Sequence, residues 1–471
     1  MLGKMPIFAL AGVAMFFSLE ARALASPEAL VAGIDIELLV DLDGGAVRIA
    51  RDPTNDDLYY LKQNGEIYRL VDAGGSGATT GERVFSSDDH GVSGASGLAI
   101  GPNGTFYVVG NATTDTDYNV ATIVKGEPGP APAPTVWSVL ARTERYPLSH
   151  SAYDHRFNGI VVSPDGRLVY VNSGSRTDHG EVQSAGGVFP DTREVPLTAS
   201  IFRLPAEGRD IVLPNDRSQL VAAGYLYAEG FRNTFDLAFA PNGDLFGLDN
   251  GPDRDMSDEL NWLREGHHYG FPWKMGGRNN PQRFASYFPD ADPLLNPAYG
   301  AVRSGLYYND PGFPKKPSRT FTKPVANKGP DADTYRDEAT GEIKDASDLG
   351  KRLKTFTAHR SPLGLVFDVG RRMKRPFKGD GFMLSFQAEA VDADGTGTLF
   401  GDPGSDMIHL ELRKNANTGR YTTRATRIVG GFVRPVDAAI VGNVVYVLEY
   451  APPGQSQSIW KVSFPAARYT P

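Results

Sequence analysis

Four acids fall within seven residues of the stretch NGPDRDMSDELN at 250–261: Asp253, Asp255, Asp258 and Glu259. They follow directly on an apolar, strand-like run, FDLAFAPNGDLFGLD. Like charges this close repel, so the chain must either leave them in water or give them a cation. Calcium is the cation that suits them: it takes six to eight oxygens from carboxylates and backbone carbonyls. Gly251 and Pro252 would add carbonyls that can turn inward. The spacing is not that of a helix–loop–helix calcium loop, and zinc is the poorer match because Cys is absent and carboxylates outnumber the nearby His. The competing reading is a solvated acidic turn, the usual fate of a surface acid run, and composition alone favours it slightly.

The elements that would position these acids repeat. A short apolar strand, a Pro/Asp/Asn/Gly turn and a second apolar or aromatic strand recur as VRIARDPTNDDLYYL (from Val47), GLAIGPNGTFYVV (Gly97), GIVVSPDGRLVYV (Gly159) and DLAFAPNGDLFGL (Asp236). Looser copies begin at Gly364 and Asp437. The turn residues suit tight hairpins, and the strands alternate or run fully apolar. Six such units predict an all-β, six-bladed β-propeller of four-stranded antiparallel blades. A pair of β-sandwiches is the alternative, but a sandwich has no need of a recurring phrase. The one helix-like segment is DELNWLREG (258–266), with room for one or two turns. Residues 275–357 and 387–406 break the rhythm and read as long insertions, which in compact domains are lids, binding loops or disordered segments.

Composition narrows the function classes. The formal charge of −8, with no Lys/Arg block to reverse it, argues against a nucleic-acid partner. Residues 1–25 have the form of a signal peptide: Lys4, the apolar run Pro6–Leu19, then small residues at Ala23–Ala25 before Ser26. That predicts an exported chain, periplasmic or secreted, with residues 26–471 forming a single domain and no stable membrane insertion. Without Cys an exported chain has no disulfides, so packing or a bound ion must staple it.

Around the acids, more of the sequence falls into a pattern. Gly230, Phe231, Arg232 and Asn233 precede the strand; Gly251, Pro252, Asp258, Glu259, Leu260 and Asn261 follow it; then come Tyr269, Gly270, Phe271 and Pro272. In this order the run resembles the soluble glucose/sorbosone dehydrogenase family, six-bladed propellers that use pyrroloquinoline quinone (PQQ) and calcium. The resemblance implies that the Gly251 and Pro252 carbonyls hold a calcium that also touches the quinone. It implies a second, structural calcium that Glu259 helps to hold, together with Asp258 and the Tyr269 carbonyl. His155, nine residues before Pro164 of the Pro-Asp-Gly turn, stands where the family has its catalytic base. A lone His is most often structural, but removing a hydroxyl proton as hydride leaves carbon asks for a group of near-neutral pKa, and imidazole suits it. Arg232 would polarise the hydride-accepting carbonyl, with Asn233 and Asn250 beside the cofactor. PQQ is an anionic tricarboxylate, and Arg434 and His359 are the other contacts the resemblance implies; an Arg can grip a carboxylate with two parallel hydrogen bonds. For Arg434 a surface ion pair is the competing role.

The expectation is thus an exported enzyme that oxidises an aldose sugar or related alcohol and passes electrons to an external quinone or cytochrome. No nicotinamide or flavin fingerprint is present. A calcium-dependent hydrolase of the lactonase type and a non-catalytic carbohydrate- or protein-binding propeller are the alternatives, because one fold hosts all three.

Overall fold

The strands of this chain are apolar on both faces because each sheet is packed between two others. In the computed structural model, which describes residues 26–73, 78–129, 134–387 and 400–466, six antiparallel sheets stand around a common axis as the blades of a propeller. The segment 1–25, expected to be a signal peptide, and most of the stretch 387–406 lie outside the described residues.

The blades follow in chain order. Blade one is Ala46–Arg51, Leu58–Lys62, Ile67–Val71 and Thr80–Phe85. Blade two is Ala95–Ile100, Phe106–Thr114, Tyr118–Glu127 and Val136–Thr143. Blade three is Phe157–Val162, Leu168–Ser173, Ser200–Pro205 and Leu226–Glu229. Blade four is Thr234–Phe239, Leu245–Asp249 and Glu259–Leu263. Blade five is Pro362–Phe367, Gly381–Ser385, Asp406–Lys414 and Tyr421–Gly430. Blade six takes Pro435–Val441, Val444–Glu449 and Gln457–Ser463 from the end of the chain and Asp35–Leu42 from its beginning, the last two running antiparallel. That pairing closes the ring.

The side-chain period of two divides each strand between two interfaces. In blade two, Phe106 and Val108 pack with Leu61 and Ile67 of blade one, while Tyr107 and Val109 pack with Val169 and Phe202 of blade three. In blade four, Leu245 and Leu263 face Tyr170 and Ile201 of blade three, while Phe246, Leu248 and Leu260 face Leu365 and Met383 of blade five. The same alternation rules out the helix anticipated at 258–266. Residues Glu259–Leu263 pair with Leu245–Asp249, because Leu260 and Leu263 are needed on opposite faces of a sheet rather than on one face of a helix.

The recurring phrase forms the first hairpin of each blade. In three of them the turn closes on a glycine at positive φ (Gly104 +78°, Gly166 +72°, Gly243 +80°), a conformation that costs other residues a steric clash. The phrase also marks a bulge: each innermost strand slips register close to its first residue, as between Ala46 and Arg48 or Thr234 and Asp236. Side chains of neighbouring blades take the backbone groups near these slips. Asp437 accepts from Ile49 N at 2.9 Å and Asp236 from Leu365 N at 2.7 Å. Arg48 reaches across the axis to Phe235 O at 3.0 Å and sideways to Ser96 O at 2.8 Å.

Blade four departs from the expected four strands. Its outer edge is covered instead by the 275–357 insertion. Val325 N donates to Leu260 O, Leu260 N to the Thr355 hydroxyl, and Phe356 N to Asp258 O. Val325 and Phe356 then enter the apolar interface of blades four and five. The insertion is a packed layer, not a loose loop, and it removes an edge that would otherwise offer unpaired backbone to other chains.

Candidate active site

All six innermost strands run the same way, so the residues that precede them lie on one face of the ring. His155 stands two residues before the first strand of blade three, Arg232 and Asn233 immediately before that of blade four, His359 three residues before that of blade five, and Arg434 immediately before that of blade six. Asn250 follows the second strand of blade four and returns to the same face. The fold therefore gathers residues that are far apart in the chain. Asn158 donates to Asn233 Oδ1 at 3.3 Å, and the Asn250 amide donates to Asn233 O at 3.1 Å and Pro362 O at 3.2 Å.

His155 is buried, and its backbone N–H donates to Tyr153 O and Ser175 O, both at 2.8 Å. Gly174 lies against it so closely that a Cβ there would stand 2.4 Å from the His155 Cβ. Burial, reinforced by the Arg232 charge, pushes the imidazole down to about 3, so the ring is neutral across the physiological range.

Arg232 is buried as well. Its Nε donates to Asp178 O at 2.7 Å, and one terminal nitrogen pairs with Asp178 Oδ1 at 2.8 Å. Burial works against the charge, but the Asp178 carboxylate outweighs it and holds the guanidinium above its usual pKa. Asp178 is a hub. Its other oxygen receives the Tyr307 hydroxyl at 2.9 Å and lies 2.8 Å from His179 Nδ1, and Asp253 N donates to Oδ1 at 3.1 Å. Despite burial, Arg232 and His179 keep this carboxyl ionised.

Each acid of 253–259 finds its own partners. Asp253 accepts from the Tyr153 hydroxyl at 2.9 Å and Ala301 N at 2.7 Å. Asp255 pairs with Arg336 at 2.7 Å and lies 2.9 Å from His359 Nε2. Asp258 takes Gly251 N at 2.6 Å with one oxygen and Ser361 N at 3.0 Å with the other. Glu259 takes Gly276 N at 2.7 Å and the Asn261 amide at 3.0 Å. Asp255, Asp258 and Glu259 are buried and Asp253 is half-buried, which overturns the solvated acidic turn. Arg254, between them, is fully buried and paired with Asp292 at 2.8 Å and Glu338 at 2.9 Å.

The acid loop and its neighbours also present unbonded backbone oxygens. Among the described residues the carbonyls of Gly251, Pro252 and Tyr269 accept no hydrogen bond. Glu259 and Asp258 are held up at about 8 and about 6, chiefly by burial, which marks carboxylates short of positive charge. A Cβ at Gly251 would stand 2.7 Å from Met256 O, so only glycine fits there. No group of three or more His, Asp or Glu side chains converges on a metal-sized point among the described residues. A cation here would have to draw on backbone carbonyls as well as on Asp258 and Glu259.

Arg434 is exposed, at φ +55°, with no ion pair among the described residues, and so is available to an anion. His359 also has positive φ, but its ring is engaged: it stacks on Tyr299 with centroids 3.9 Å apart and its Nε2 meets Asp255. Tyr307 stacks on His179 at 3.7 Å. Both tyrosines come from the insertion, which thus lies over the site.

Several residues of this network went unread in the sequence: Asp178, Ser175, Tyr153, Tyr299 and Tyr307. Asp178 left a faint signal as an acid beside a His in the Gly-containing loop NSGSRTDHGEVQ. The tyrosines left none.

Comparison with known proteins agrees with this architecture. The sequence matches the model of the Glucose / Sorbosone dehydrogenase family over residues 47–302. A quinoprotein glucose dehydrogenase B of Acinetobacter calcoaceticus is 27% identical over 160 residues, covering 31% of this chain; the match spans 32% of that relative's length. The fold superposes on the apo-form of the soluble aldose sugar dehydrogenase of Escherichia coli (TM-score 0.54, 16% identity, 91% of this chain and 99% of that one). It also superposes on the PQQ-bound aldose sugar dehydrogenase of Streptomyces coelicolor (TM-score 0.50, 16% identity, 93% and 99%). No described helix is long and apolar enough to cross a membrane. With the recurring hairpins, the strand-mouth residues and more than half of the chain inside the family match, this chain belongs to the glucose/sorbosone dehydrogenase family.

Proposed function

We propose that this protein is an exported PQQ- and calcium-dependent dehydrogenase that oxidises an aldose or a related alcohol and delivers the electrons to an external quinone or cytochrome. The observation that carries the reading is His155: a neutral, buried imidazole at the mouth of an innermost strand, beside a buried arginine. The ring is unprotonated, as abstraction of a hydroxyl proton requires, but burial leaves it a weaker base than the near-neutral group the sequence led to.

The donor set fits both groups. Gly251 and Pro252 would offer carbonyls to one calcium; Glu259, Asp258 and the Tyr269 carbonyl would serve a second. Arg434, Arg232, Asn233, Asn250 and His359 are the residues that would hold the anionic quinone. When bound, PQQ supplies the hydride acceptor, and calcium polarises it. The chain does the rest. His155 takes the substrate proton at its free ring nitrogen. Asp178 holds Arg232 in place by two hydrogen bonds, so the cation is oriented before substrate arrives. The insertion residues Tyr299 and Tyr307, packed on His359 and His179, limit the entry of water.

The test is reconstitution of the purified protein with PQQ and calcium, followed by assay with a dye acceptor on a panel of aldoses and alcohols. Dye reduction that requires both additions is the expected result. No dye reduction and no spectral change on adding PQQ would sink the reading; lactone hydrolysis needing calcium alone would replace it.

A further inference from the structure

We propose that Ser175 is a positioning residue that fixes the ring tautomer of His155, with the proton on Nδ1 and the lone pair on Nε2. The functional meaning of this rests on the reading of His155 as the base, but the tautomer itself is a property of the chain alone.

A serine hydroxyl has one proton to give. Ser175 gives it to Thr177 O, 2.7 Å away. Its oxygen also lies 3.3 Å from His155 Nδ1. With its proton already committed, Ser175 Oγ can meet that nitrogen only as an acceptor. Nδ1 must then carry the hydrogen, and in a neutral ring Nε2 is left bare. Which ring nitrogen is protonated is set by the hydrogen bond that the other one makes.

The surroundings keep this arrangement rigid. His155 and Ser175 extend the ladder of blade three past its named strands, through His155 N to Ser175 O. Thr177 is tied down by its own hydroxyl, which donates to Glu194 and accepts from Gly180 N. Between Ser175 and Thr177, the fully buried Arg176 donates to five backbone carbonyls: Pro147, Leu148, Gln183, Thr192 and Arg193. Its side chain acts as a peg on which three loop segments hang. Turning the hydroxyl proton toward Nδ1 instead would exchange the 2.7 Å bond to Thr177 O for a 3.3 Å one and leave a buried carbonyl without its donor. The charged groups near the ring, Arg232 and Asp178, influence whether it protonates; the hydroxyl decides where.

The test needs neither cofactor nor substrate. The full chain is labelled with ¹⁵N-histidine, and long-range ¹H–¹⁵N spectra are recorded at about pH 7, where an ordinary His is mostly neutral. The His155 signals are identified by their loss in His155→Gln. The expected wild-type spectrum shows Nδ1 protonated and Nε2 bare, and Ser175→Ala brings in the opposite tautomer. A wild-type ring protonated on Nε2 overturns the proposal, even if the variant fails to fold. An Nδ1–H ring unaltered in a folded Ser175→Ala overturns it too. In a loaded enzyme the same substitution is expected to lower kcat by about 10- to 100-fold, with KM little changed. The predicted tautomer without dye reduction removes the dehydrogenase reading and leaves this one standing; dye reduction with the opposite tautomer does the reverse.

Discussion

The role given to His155 can be tested at that residue alone. His155→Ala should lower turnover by about 10²- to 10⁴-fold, the usual worth of a positioned base, while PQQ binding measured by absorbance stays intact. Activity that survived would move the base elsewhere. The pH dependence follows from the ring's surroundings. Its folded pKa is about 3 against 6.5 for a free His, so the unfolded chain takes up the proton first as pH falls. The native state then loses stability progressively from about pH 6.5 down to about pH 3, and carries no such penalty above that window. Two results should follow: turnover that stays level through pH 6 on the acid limb, and acid unfolding that moves to lower pH in His155→Gln. A turnover limb falling with a midpoint near 6.5 would show that the imidazole is solvated in the working enzyme.

Between neighbouring elements, the acid loop and the insertion act as a latch. Arg254 is buried against Asp292, and its removal would leave that carboxylate buried without a cation. Arg254→Leu should cost about 3–5 kcal/mol and expose residues 275–357 to protease, read by melting and by the cleavage sites. An unchanged digestion pattern would mean that Val325 and Phe356 hold the insertion without it. This level also shows what the sequence could and could not tell. The six hairpins were legible because each carries its own turn residues and its own alternation. Strand Glu259–Leu263 was not, since in a blade packed on both faces apolar residues three apart face opposite ways and imitate a helical stripe. His155, Arg232 and Arg434 were singled out through the family resemblance, and the fold sets each of them just before an innermost strand. The burial of the acid run was not legible, because Ala301 and Arg336 reach Asp253 and Asp255 from the folded insertion and Tyr153 from the segment before blade three.

For the molecule as a whole, an ion held by backbone carbonyls of the acid loop is a ligand of the native state only. Its binding adds RT ln(1 + [L]/Kd), about 2.7 kcal/mol at a hundredfold excess over Kd. Chelator should therefore lower the melting temperature by a few degrees, and added calcium should restore it. A melting curve indifferent to both would leave the Gly251 and Pro252 carbonyls without a metal. The ring is also expected to melt as one unit, since each blade buries both faces against its neighbours.

Blade six has a consequence for biogenesis. Its outer strand, Asp35–Leu42, precedes its partner, Gln457–Ser463, by the whole of the other five blades. Until that partner is made the early strand has no ladder to join, and five blades can form while the circle stays open. Closure is thus a late, long-range event of the kind that makes folding slow. Until it happens, the nascent protein carries two complementary sticky edges, either of which can capture the matching edge of another unfinished copy.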